Sequence, residues 1–153
     1  MKERSELREV SSDLNVEDIL SETVHHKGCM ALILNRPGDA LSCFQTFNTI
    51  ILEEIGRNIT KRKTSRLGIS WNELGVAYMA NQQWEKGEVC FLRALESVKE
   101  VENFSKTMMS FPLVNLGMAY WIQNRLDEAT KVLTEGLKDR EEIYGVDDRN
   151  SFM

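Results

Sequence analysis

Proline is nearly absent from this sequence: Pro37 and Pro112 are the only two in 153 residues, so little in it interrupts a long helix. Histidine is as scarce, with only His25 and His26, and the three cysteines, Cys29, Cys43 and Cys90, show no CxxC or metal-ligand spacing. Their odd number leaves at least one thiol unpaired, which points to a reducing compartment. No GxGxxG, GxxxxGK[ST] or HExxH occurs, so dinucleotide, nucleoside-triphosphate and zinc-protease chemistries have no motif here. No apolar run approaches the roughly 20 residues a membrane span needs, and the charged segment Met1–Glu9 stands where a signal peptide needs an apolar stretch. A net charge of −5, spread over both signs, gives no field that would draw the protein to nucleic acid or anionic lipid. The expectation is a soluble, cytoplasmic protein with no cofactor.

What is present favours helices. Hydrophobic residues make up 42% and charged residues 28%, as in ordinary globular proteins, and Leu, Glu, Ala, Met and Lys are strong helix formers. A search for internal repeats aligns Trp71-Asn-Glu-Leu74-Gly75-Val-Ala-Tyr78 with Leu113-Val-Asn-Leu116-Gly117-Met-Ala-Tyr120. Twelve residues after each glycine comes a small residue, Gly87 or Ala129, and four further on a large one, Phe91 or Leu133. A third copy lies upstream, at Gly28, Ala40 and Phe44, with Lys27 and Ala31 where the others carry Leu and Tyr.

This pattern resembles the tetratricopeptide (TPR) consensus W-x2-L-G-x2-Y followed by A-x3-F. The glycines stand 47 residues apart (Gly28 to Gly75) and then 42 (Gly75 to Gly117), against a usual period of roughly 34. The longer units, together with Leu137–Asp148, resemble the repeats of kinesin light chains and of fungal multi-repeat TPR proteins. The resemblance runs from about Asp18 onward. It implies an all-α protein, an alpha-alpha superhelix of three stacked helical hairpins with about six helices. The organisation read from it is a polar lead-in at 1–14, a degenerate first repeat at 15–57, a basic loop at 58–65, a second repeat at 66–102, a third at 109–145, and at 146–153 a tail or the start of a further repeat. Helices are expected at 15–34, 38–56, 66–81, 84–102, 109–123 and 126–144.

Within each unit the glycine of the first helix is expected to admit the small residue of the second, with Trp71, Leu74, Tyr78 and Phe91 filling the space around that contact in the second unit. Asn81-Gln82-Gln83 and Gln123-Asn124-Arg125 read as short polar turns, and Asn35–Asp39 as the first unit's turn, with Pro37 and Gly38 as turn residues. A helical hairpin cannot bury its apolar face alone, so the three units must stack.

By the same resemblance, the first helices line the concave face of the superhelix, which places His25, Cys29, Leu32 and Ile33, then Ile69, Asn72, Val76, Met79 and Ala80, then Phe111, Val114, Met118, Trp121 and Ile122 toward a partner. Asn72 and Asn115 are candidates for hydrogen bonds to a partner's backbone. The predicted groove is apolar and lacks Lys and Arg, which argues against a clamp for C-terminal carboxylates and against acidic cargo motifs. The implied function is a non-enzymatic module that binds a peptide or helix of another protein. An alternative is a segment of a larger scaffold that self-associates as a homo-oligomer through uncapped repeat ends. An enzymatic site around His25, His26 and Cys29 is the least supported reading, since two or three residues on one short helix offer too few ligands for zinc and no orienting partner for a nucleophile.

Overall fold

The computed structural model describes residues 16–57, 65–101 and 106–144. Six helices follow one another: α1 (Val16–Ile33), α2 (Pro37–Arg57), α3 (Arg66–Ala80), α4 (Trp84–Lys99), α5 (Lys106–Ile122) and α6 (Leu126–Tyr144). Each packs on its successor, and α3 also meets α5, so three hairpins are stacked in chain order. The all-α stack expected from the repeat is the one observed. The lead-in, nearly all of the basic loop and the segment 146–153 lie outside the described residues. One helix start differs clearly from expectation: α5 begins at Lys106 and carries Pro112 inside it. Pro112 lacks the N–H that would bond the Met108 carbonyl, but it is buried.

All three hairpins turn in the same way. Asn35, Gln82 and Asn124 adopt left-handed backbone conformations, with φ of 55°, 62° and 60°, and they are separated by the same 47 and 42 residues as the glycines. At each turn the following N–H reaches back to the last helical turn: Arg36 N to Ala31 O, Gln83 N to Tyr78 O and Arg125 N to Tyr120 O, at 2.7–2.9 Å. This is the Schellman arrangement, which satisfies carbonyls that a helix end leaves unpaired. Pro37 and Gly38 are therefore not turn residues. Both belong to the first turn of α2, where proline's missing N–H costs nothing and its fixed φ suits the helix.

The contact inside each hairpin also differs in detail from the expectation. A Cβ at Gly75 would lie 2.5 Å from the Phe91 ring, one at Gly28 would lie 2.7 Å from the Phe44 ring, and one at Gly117 would lie 2.5 Å from Leu133. The glycine thus makes room for the large residue 16 positions on, while the small residue between them lets the helices close; a Cβ at Gly87 would come within 3.2 Å of the Gly75 carbonyl. Phe44 and Phe91 are accordingly almost fully buried.

Two apolar cores lie across the seams of the stack. One joins Phe44, Phe47 and Ile51 to Leu74, Ala77 and Cys90; the other joins Phe91, Leu95 and Val98 to Met109, Leu113, Leu116 and Tyr120. Polar bonds fix the register of the same seams. Arg66 donates to Glu54 (3.1 Å) and to Ser21 (2.6 Å), tying α3 to both helices of the first hairpin, and the buried Asn48 donates to Ser70 at 3.1 Å. Each later turn also grips the hairpin before it. Asn81 donates to the Pro37 carbonyl at 2.8 Å. At the corresponding place one repeat on, Gln123 and Arg125 donate to Glu88, Arg125 through one terminal nitrogen to both carboxylate oxygens at 2.7 and 2.8 Å.

Two substitutions separate these effects. Gly75→Leu drives a branched side chain into the Phe91 ring and is expected to cost about 3 kcal/mol or more. Gln82→Gly relieves a left-handed residue that carries a Cβ and is expected to stabilise by about 1 kcal/mol. Urea unfolding of both variants against the parent chain checks the two signs.

Candidate partner-binding face

The residues assigned to a partner lie on the first helices, α1, α3 and α5, and they separate into two sets. Ile33, Ile69, Ala80, Phe111, Met118, Trp121 and Ile122 are exposed, and four of them share α5. Phe111 and Trp121 are 57% and 58% exposed, Met118 44%. Such large apolar surfaces in water are costly unless something covers them. The Arg140 guanidinium lies 5.9 Å from the centre of the Phe111 ring. The other set is half-buried. Cys29 and Leu32 pack against the first core, Val76 and Met79 against the second, and Met79 fills the space beside Gly87. Val114 is likewise half-buried. The exposed apolar area of the row therefore concentrates on α5.

Polar residues of this row meet across the seams. Asn115 Nδ2 donates to Asn72 Oδ1 at 2.9 Å, so these two side chains bind each other first and each offers a partner only its remaining polar atom. One repeat earlier the equivalent pair is His25 and Glu73, with His25 Nε2 3.7 Å from Glu73 Oε1. Glu73 is absent from the sequence-derived set of face residues. Its signal was nevertheless there: it stands 42 residues before Asn115, in the same place of the repeat.

His25 is held by its surroundings. Its ring centre lies 5.8 Å from that of Phe44 and 5.1 Å from that of Phe47, both on α2, and Cys29 Sγ is 3.9 Å from Nε2, one helical turn away. His26 points to a different environment, exposed beside Met30, Lys27 and Cys43. Burial, with the neighbouring Glu73 carboxylate, pushes the Cys29 thiol above its ordinary range, and burial pushes Cys90 up to about 11. Both are protonated thiols at neutral pH, the opposite of an activated nucleophile.

A family model described as the tetratricopeptide repeat matches residues 66–142, just over half of the chain. The chain belongs to the tetratricopeptide repeat family. Among solved structures it resembles the crystal structure of BtubC (BKLC) from P. vanneervenii, with a TM-score of 0.69 and 18% identity over 90% of this chain and 54% of that one. At that identity the likeness is one of fold, and the chain spans about half the length of that protein. No curated protein matches the sequence. The first hairpin lies outside the matched residues, yet its Gly28–Phe44 contact and its Asn35 turn repeat those of the two matched TPR hairpins. TPR proteins are in general interaction scaffolds rather than catalysts, and among the described residues no helix is long and apolar enough to cross a membrane.

The thiol chemistry gives a direct check. In a chain carrying Cys43→Ser and Cys90→Ala, Cys29 is expected to react with iodoacetamide at neutral pH several-fold more slowly than a free cysteine. A rate above that of free cysteine would mark an activated nucleophile and reopen the enzymatic reading.

Proposed function

We propose that this TPR stack is a binding module whose concave face, the row of α1, α3 and α5, takes an apolar peptide or helix of a partner protein. The observation that carries this reading is the cluster of large exposed apolar side chains on one helix: Phe111, Met118, Trp121 and Ile122 of α5, extended by Ile69 on α3. Trp offers a large rigid contact area and Met a shape that adapts, which suits the burial of an apolar segment. The Asn72–Asn115 pair beside them leaves one amide N–H2 and one carbonyl oxygen for the segment's backbone, a means of holding register without a charge. No lysine or arginine stands among the assigned positions, so an apolar segment is favoured over an acidic one. Units of 47 and 42 residues support the long repeat type of kinesin light chains, with boundaries near 15–57, 66–102 and 109–145. A reducing, cytoplasmic setting accords with three cysteines that are all free.

A second reading, association of copies through the ends of the stack, draws on a different surface. Leu137 on α6 is 60% exposed, and Met30 and Leu34 of the first hairpin are exposed beside Asp39 and Cys43 of α2. Light scattering across a concentration series tests it, since mass that rises with concentration and falls back with Leu137→Lys would mark end-to-end contact.

For the groove, peptides selected from a display library on the immobilised chain are expected to carry spaced apolar anchors. Trp121→Ala should weaken a selected peptide by about 30-fold or more, as for a central interface tryptophan, with the melting temperature unchanged. Peptides whose affinity ignores Trp121 would refute the assignment of this face.

A further inference from the structure

The side chains of His25, Cys29 and Glu73 converge where the first hairpin meets the second. His25 Nε2 is 3.7 Å from Glu73 Oε1 and 3.9 Å from Cys29 Sγ, and the three donor atoms all lie within 4.8 Å of one another. The carboxylate distance is too long for a hydrogen bond. In a tetrahedral zinc site, with metal–ligand distances of about 2.0–2.3 Å, nitrogen, oxygen and sulfur ligands stand roughly 3.4–3.6 Å apart. Two of the separations here are within a few tenths of an ångström of that. We propose that His25, Cys29 and Glu73 form a zinc site that joins the first hairpin to the second.

Three features support it. The donors come from two helices whose positions the core fixes: His25 and Cys29 one turn apart on α1, Glu73 on α3, with His25 wedged against Phe44 and Phe47 and Cys29 packed on the same core. Preorganised ligands on rigid elements are what a metal site needs. The donor set suits zinc in softness, being thiolate, imidazole and carboxylate. It also balances charge, because binding displaces the Cys29 proton to solvent and the thiolate and carboxylate together neutralise the dication. Three protein ligands leave the fourth position to water. The sequence showed only the His25–Cys29 half of this cluster, because Glu73 reaches it through the stacking of α3 on α1.

The test uses cobalt(II) as a spectroscopic stand-in, titrated into the whole chain with its cysteines kept reduced. The expected result is one equivalent bound, with the near-ultraviolet charge-transfer band of a cobalt–thiolate bond and intense tetrahedral d–d bands, both bleached by zinc. Cys29→Ser should abolish the charge-transfer band, and Glu73→Gln, nearly isosteric, should weaken binding at least tenfold. His26→Ala and Cys43→Ser should change neither. Zinc should raise the melting temperature of the parent chain and leave that of Cys29→Ser unmoved, a readout that excludes metal held by unfolded chain. Absence of the charge-transfer band, its survival in Cys29→Ser, its loss in Cys43→Ser, or unchanged affinity in Glu73→Gln would each overturn the proposal.

Discussion

The stack depends on one steric contact made three times: a glycine in the first helix of each hairpin against a large side chain 16 residues later in the second. With any side chain at Gly28, Gly75 or Gly117, a Cβ would sit 2.5–2.7 Å from Phe44, Phe91 or Leu133, closer than packed atoms tolerate. The contact sets how near the helices of a hairpin approach, and so which residues remain to face the neighbouring hairpin. The seam cores then assemble from what is left over. Phe47, Ile51 and Leu74 meet at one seam, and Leu95, Leu113 and Tyr120 at the other. A hairpin in isolation would leave those faces in water, which is why the repeat is stable only as a stack.

That logic also explains which features were legible in the sequence. Local signals are legible: the glycine, small and large positions at offsets of twelve and sixteen locate all three hairpins, including the first, where Lys27 and Ala31 replace consensus residues. Turn chemistry is less direct at the first hairpin. Pro37 and Gly38 look like turn residues, but the turn is made by the left-handed Asn35, and Pro37 merely opens α2. The start of α5 at Lys106 is hidden for a related reason, since a buried proline inside a helix contradicts the propensity that places it near the helix start. What depends on stacking was not legible. Asn72 and Asn115 are 43 positions apart, and only the stack shows that their side chains bind each other; Glu73 comes to His25 by the same geometry.

The face so formed is uneven along the stack. At the seam of the first two hairpins it holds an imidazole, a thiol and a carboxylate; at the next, two amides; and on α5 it becomes a run of exposed aromatic and aliphatic side chains. Half-buried members such as Val76 and Met79 serve the core and position their neighbours. On the proposed reading, the energy for capturing an apolar segment would reside on α5, and the polar seams would supply orientation. A repeat protein reaches such division of labour cheaply, because the scaffold contact constrains only the glycine, small and large positions and leaves the outward ones free to vary.

On the proposed reading, the α5 end of this face receives the partner. The chain has three tryptophans, Trp71, Trp84 and Trp121, and they report on three different places. Trp71 is half-buried beneath the Arg93 guanidinium, Trp84 opens α4 on the second helix of its hairpin, and Trp121 stands exposed on α5. The decisive measurement is the set of three indole N–H resonances of the 15N-labelled chain during titration with a peptide selected for binding. The account predicts that the Trp121 signal moves with saturation while those of Trp71 and Trp84 stay in place. A Trp84 shift with Trp121 unmoved would put the partner on the opposite face and contradict it.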